Sequence, residues 1–204
     1  DHRFTNNSSY CRQGVAEKIN IEKNGYIHQA EATSCGLNNT PLDAYGTYPA
    51  YITCHLRNLS ITPDMTKEEK LSLMPYVTQD GDDREAGDNQ YVKNIQNGCI
   101  IGYKYFDFDK QQSKKILIKI NIKGSAKGYL SITTDMDYAD KQFKDYNKNT
   151  SLYIDTSDNI LNNNPDDWRT FELHLNNPAG IKPLYFMFEG TGAFCIKDFT
   201  FIPE

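Results

Sequence analysis

The stretch "KKILIKINIKG", residues 114–124, sets the fold. Ile116, Ile118, Ile120 and Ile122 alternate with Leu117, Lys119, Asn121 and Lys123. Successive side chains of a strand point to opposite faces, so one face here is wholly apolar and the other mostly polar. That is a half-buried antiparallel strand. Outward from it, the same alternation recurs in "YPAYITCHL" (48–56), where Ala50, Ile52, Cys54 and Leu56 share a face. It returns in "GYLSITTD" (128–135), "SLYID" (151–155), "FELHL" (171–175) and "PLYFMFEG" (183–190). With "GYIHQAEA" (25–32), "CIIGYKYFDF" (99–108) and "FCIKDFTF" (194–201), about nine or ten strands are expected, parted by Gly, Asn, Asp and Pro turns.

The expected fold is all-β: an antiparallel β-sandwich of jelly-roll type with one short helix. The helix is "TKEEKLSLM", Thr66 to Met74, with Thr66 and Glu69 in capping-box register. In the last strand Phe194 and Ile196 fall out of step with Phe199 and Phe201. A β-bulge near Lys197 and Asp198 accounts for the slip, and bulges re-aim side chains beside sites. Residues 76–98, acidic and carrying two tyrosines, read as a long loop.

Composition narrows the function. The 204 residues suit one domain of ordinary size, and 22 basic against 27 acidic side chains give a net charge of -5. Without a basic stripe, nucleic acid and anionic membrane are poor partners. No run approaches the length of a membrane span, and the first residues lack the apolar stretch of a signal peptide. Cysteines 11, 35, 54, 99 and 195 form no C-x-x-C pair and read as buried thiols. The histidines show no zinc-ligand spacing.

No G-x-S-x-G, H-E-x-x-H or phosphate-cradling glycine loop is present. The carboxylates Asp80, Asp82, Asp83, Glu85 and Asp88 have the chemistry of a calcium site or of a glycosidase acid/base pair, but match no calcium-loop spacing. An acidic surface loop is more often simply solvated.

More informative are aromatic rings that fall outside the apolar alternation: Tyr76, Tyr91, Tyr103, Tyr153 and the single tryptophan, Trp168. Strict alternation in "NNNPDDWRTFELHL" (162–175) places Phe171, Leu173 and Leu175 on one face. Trp168 then goes with Thr170, Glu172 and His174 on the other. The alternative is that alternation fails at a strand end and the indole closes the core. Flat rings with Asn, Gln and Asp neighbours suit sugars, whose C–H faces stack on π surfaces while their hydroxyls take hydrogen bonds.

These residues carry a resemblance. "HRFTN" and "YCRQGVAEKINIEKNGYI" resemble the closing strands of the five-bladed propeller of a family 43 glycoside hydrolase. "QAEATSCGLN", "PAYITCHL", "PYVTQDGDD", "YVKNIQNGCIIGYKYFDF" and "LYFMFEGTGAF" are similar to a following β-sandwich of the family 6 carbohydrate-binding module type. The resemblance implies that residues 1–22 are a remnant of the last blade or a linker, and 23–204 the sandwich. It implies a parent enzyme of bacterial periplasm, exterior or cell surface that removes arabinose or xylose from plant hemicellulose. The parent's catalytic carboxylates lie upstream, so no catalytic residue is expected here. The expected partners are an oligo- or polysaccharide and the catalytic propeller.

By the same resemblance Trp168 matches the stacking tryptophan and Tyr91 its partner, with Asn94 as the other residue near that position. Asn94 and Asp166 are the expected hydrogen-bonding groups. The family's structural calcium implies Gln29 and Glu31 as ligands, with an Asp on the last strand. Here Lys197 stands in that place and Cys195 in that of a sugar-binding Asn, so Asp198 serves only if the bulge turns it inward.

Overall fold

The computed structural model describes residues 16–38, 40–80, 89–110, 113–135, 150–156 and 167–204. In it the alternating stretch runs well beyond its own pattern. Lys115–Thr133 form one strand, β7, of 19 residues, and Ile181–Pro203 form another, β10, of 23. The others are β1 (Leu42–Asp43), β2 (Thr47–Pro49), β3 (His55–Asn58), β4 (Tyr76–Gln79), β5 (Gln90–Gln96), β6 (Cys99–Asp107), β8 (Ser151–Asp155) and β9 (Arg169–Asn176).

β7 and β10 pair antiparallel from Tyr185 opposite Thr133 to Pro203 opposite Ile116. The first part of β10 takes β6 on its other edge, and the later part takes β5 and β2. On β7, residues 127–131 hold β8 and residues 115–122 hold β9. Hydrogen bonding therefore makes one sheet, which folds across its middle into two layers. Phe186 and Phe199 lie on the same strand, yet their ring centroids are 5.2 Å apart, and Tyr103 of β6 meets Phe199 at 4.8 Å. Contacts this close require the two halves of β10 to face each other, as in a sandwich. The buried isoleucines of β7 fill the space between with Tyr103, Phe106, Phe186, Phe199 and Phe201.

The fold line falls at glycines. A Cβ on Gly190 would stand 2.3 Å from the Lys127 carbonyl oxygen, and one on Gly192 2.1 Å from that of Ser125. Gly192 also has φ of 77°, a conformation that costs an L-residue about 1–2 kcal/mol. Only the missing side chain lets the two strands bend together there.

The expected helix is present as α1 (Lys67–Leu73), with Thr66 as N-cap and both capping-box bonds to Glu69. The expected bulge is present too: β10 passes from Ile196 to Phe199 while β7 passes only from Ile122 to Ile120.

Three readings change. Residues 76–98 are not one loop, because Tyr76–Gln79 pairs with Gln90–Lys93 as antiparallel strands. A second bulge, where β5 slips by a residue against β10 and Asn94 has φ of 64°, breaks the period that would have shown it. The stretch 25–32 makes no strand beyond an isolated bridge of Ile21 with Ile27. "YPAYITCHL" is divided by a 3₁₀ turn at Ala50–Ile52. Among the thiols, Cys99 and Cys195 are buried and Cys35 and Cys54 partly so; Cys11 lies outside the described residues.

Candidate functional site

On the outer face of the layer formed by β5, β10, β7 and β9, the strand register brings four side chains into a row. Cys195 of β10 lies opposite Lys123 of β7, Val92 beside Tyr91 pairs with Ile196, and Ile122 pairs with Arg169, the neighbour of Trp168. The small, buried Cys195 thus has Tyr91 on one side and Lys123 and Trp168 on the other. The rings of Tyr91 and Trp168 meet at 5.5 Å and 73°, edge to face. This brings together two of the five aromatic residues singled out in the sequence, the two that the resemblance pairs. The β9 alternation holds as read, with Thr170, Glu172 and His174 exposed, while Trp168 itself is half-buried.

Two groups that sequence reasoning did not assign to this place complete it. The Lys123 ammonium stands 4.6 Å from the Tyr91 centroid and 4.7 Å from that of Trp168. Asp80, just after β4, accepts the Tyr91 hydroxyl at 2.8 Å and the Lys123 ammonium at 3.2 Å. Burial works to raise the Asp80 pKa, but these two donors outweigh it and hold the carboxyl below its usual range. Burial, then the bond to Asp80, pushes the Tyr91 phenol well above its ordinary value. The Cys195 thiol is pushed up to about 11 by burial and so is uncharged at neutral pH.

A cleft of about 370 Å³ opens beside the row, with Asp80, Tyr91, Lys93, Asn94, Lys123 and Cys195 in its walls. Its size lies in the range of small-ligand sites. The rings as placed do not form a parallel slot, because a sugar between two π faces needs van der Waals spacing of about 3.5–4.0 Å on each side. What the arrangement offers is a ring pair of which Tyr91 borders the cleft and Trp168 stands against Tyr91.

The other expected residues fall as follows. Asn94 lines the cleft, but its amide donates to the carbonyls of Ser72 and Met74 at 2.8 and 2.9 Å, satisfying orphan groups at the end of α1. Asp166 lies outside the described residues, as do Asp82, Asp83, Glu85 and Asp88. Tyr103 is fully buried and donates to the Ala50 carbonyl at 3.0 Å.

Gln29 is exposed. Glu31 is taken by the Lys104 ammonium at 2.7 Å and the Tyr105 hydroxyl at 2.9 Å; the bond from Lys104 chiefly holds its carboxyl below the usual range. Asp198 accepts from Asn121 at 2.6 Å on β7. Among the described residues no group of three or more His, Cys, Asp or Glu side chains is placed to hold a metal ion. As placed, the two carboxylates bind different strands, Glu31 to β6 and Asp198 to β7, and Glu31 is already paired with the Lys104 ammonium.

A larger cleft, about 630 Å³, opens at the opposite end of the sandwich. Its walls include Ile116, Ile118, Ile132, Leu184 and Phe201, which belong to the core.

No family model matches the chain. A xylosidase/arabinosidase of Thermoclostridium stercorarium is 33% identical over 207 residues, a match covering 98% of this chain and 38% of that protein. The family 43 arabinoxylan arabinofuranohydrolase of Bacillus subtilis, solved with cellotetraose, superposes with a TM-score of 0.55 at 18% identity. That match covers 92% of this chain and 33% of the enzyme. The module CsCBM6-3 of Clostridium stercorarium, solved with cellobiose, superposes over its whole length and 82% of this chain, with a TM-score of 0.54 at 14% identity. The chain has the fold of a family 6 carbohydrate-binding module. The chain spans a little over a third of the xylosidase/arabinosidase and a third of the arabinofuranohydrolase. Both matches agree with the resemblance read in the sequence, to the region of a family 43 enzyme that carries such a sandwich.

Proposed function

We propose that the module is a non-catalytic carbohydrate-binding accessory domain of a glycoside hydrolase acting on plant arabinoxylan, xylan or arabinan. The observation that carries this reading is the Tyr91–Trp168 ring pair, whose tyrosine borders a cleft with Asp80, Lys93, Asn94 and Lys123 in its walls. It is supported by the xylosidase/arabinosidase relative and by the fold shared with sugar-bound modules. The Trp168 indole stacks on a sugar ring, and the polar groups of the cleft receive its hydroxyls. Stacking of a planar ring on an aromatic side chain contributes about 1–3 kcal/mol, so a single site binds weakly. Calorimetric titration with xylo- and arabino-oligosaccharides tests it: Trp168→Ala is expected to weaken binding about tenfold or more. Curves identical to the wild type would remove the ring pair from the function. Incubated with arabinoxylan, the chain alone is expected to release no reducing ends.

A second reading has its own support. Ile19, Ile21, Tyr26 and Ile27 are 52–61% exposed on the segment closed by the bridge of Ile21 with Ile27. Large apolar side chains exposed together on and just before one turn mark an interaction surface. In this reading the segment packs on the catalytic propeller of the parent enzyme. Adding the separately produced propeller is then expected to raise the melting temperature of the chain, and Ile21→Ser is expected to abolish that rise. No shift on addition would count against docking.

A further inference from the structure

One face of each ring of the pair is already in use. Lys123 reaches across both rings of the pair, Tyr91 is only 5% exposed, and the Lys123 side chain is itself 16% exposed. A cation and the C–H face of a sugar seek the same negative π surface, so the two cannot occupy one face together. Resting on the carbohydrate reading above, we infer that Lys123 is an internal competitor for the aromatic pair and the residue that sets what the site admits: a neutral sugar binds by displacing the Lys123 ammonium from the rings of Tyr91 and Trp168.

The surroundings are built for such an exchange. Asp80 is held by the Tyr91 hydroxyl through its other oxygen, so the carboxylate stays in place when the ammonium leaves the rings. The adjoining cleft is bordered by Lys123 itself and gives the ammonium somewhere to go. Its flexible four-carbon stem lets it move without a backbone change. Beneath the rings, Cys195 is buried and uncharged, so it does not compete for the cation. The expected selectivity is for ligands that gain enough from ring stacking and from the cleft to replace one cation–π contact per ring.

Two variants test this in the intact chain. Lys123→Ala removes the competitor and is expected to tighten binding of a neutral xylo-oligosaccharide by at least about threefold. Lys123→Arg stacks more firmly on aromatic faces, keeps the charge, and is expected to weaken it. A readout without sugar accompanies them. Trp168 is the single tryptophan, so quenching of its fluorescence by the uncharged quencher acrylamide is expected to rise in Lys123→Ala and not in Lys123→Arg. Binding by the wild type that Lys123→Ala leaves unchanged or weakens overturns the inference alone, as does unaltered quenching. Absence of binding by wild type and Lys123→Ala alike overturns the carbohydrate reading, and the inference with it.

Discussion

Asp80 joins the phenol of Tyr91 and the ammonium of Lys123, and so ties β4 to the site through one carboxylate. Its pKa is held down by those donors against burial, and that of Glu31 chiefly by Lys104. A carboxyl whose folded value lies below its unfolded one stabilises the fold fully above the unfolded value, about pH 4. The contribution is lost as pH falls through the folded value. Melting temperature is therefore expected to drop as pH falls below about 4, and Asp80→Asn is expected to flatten part of that drop; an unchanged profile would take Asp80 out of the linkage. Because Glu31 is neutralised by Lys104, removal of divalent ions with EDTA is expected to leave the melting temperature unmoved. A clear fall would place a metal among these residues. Trp168 was half legible in the sequence: alternation put it with the polar face but, one residue before β9, left open that the indole closes the core, and the resemblance decided between the two. Lys123 was legible as a polar strand residue but not as a partner of the rings, since its place depends on the register of β5, β10 and β9 around it. The local pattern likewise gave no sign that the amide of Asn94 would turn to the carbonyls of α1.

Among the elements, the helix and the bulge of β10 were written locally, one in a four-residue capping signal and the other in a phase slip. The hairpin of β4 and β5 was not, because Val77, Val92 and Ile95 are few and the bulge at Asn94 disrupts their spacing. The long strands were half legible: the apolar alternation marked their arms, while the glycines between the arms read as turns. Removing the cap with Thr66→Ala is expected to cost about 1 kcal/mol, measured by urea unfolding. Gly192→Ala is expected to cost more than about 2 kcal/mol, since the new methyl needs both a disfavoured φ and the space of the Ser125 carbonyl. If Gly192→Ala proved as mild as Thr66→Ala, the close approach at the fold line would be wrong.

The whole molecule is a sandwich whose two layers share β7 and β10. Neither layer has an edge at which the other could be detached, so unfolding is expected to be a single transition. Trp168 fluorescence, which reports the layer of β5 and β9, and far-ultraviolet circular dichroism are expected to give coincident denaturation curves. Separate midpoints would mean that one layer survives the other. The sandwich class was legible because many short alternating segments at regular spacing admit few other arrangements, whereas the sharing of two strands is a property of pairing alone. That sharing also bears on biosynthesis. A ribosome delivers β7 while β10, its partner strand in both layers, is still untranslated. Until residues 181–203 emerge, the isoleucine face of β7 lacks the phenylalanines of β10 that share its core. The sandwich therefore closes only after residues 181–203 have left the ribosome, and the earlier strands wait for them in an incomplete core.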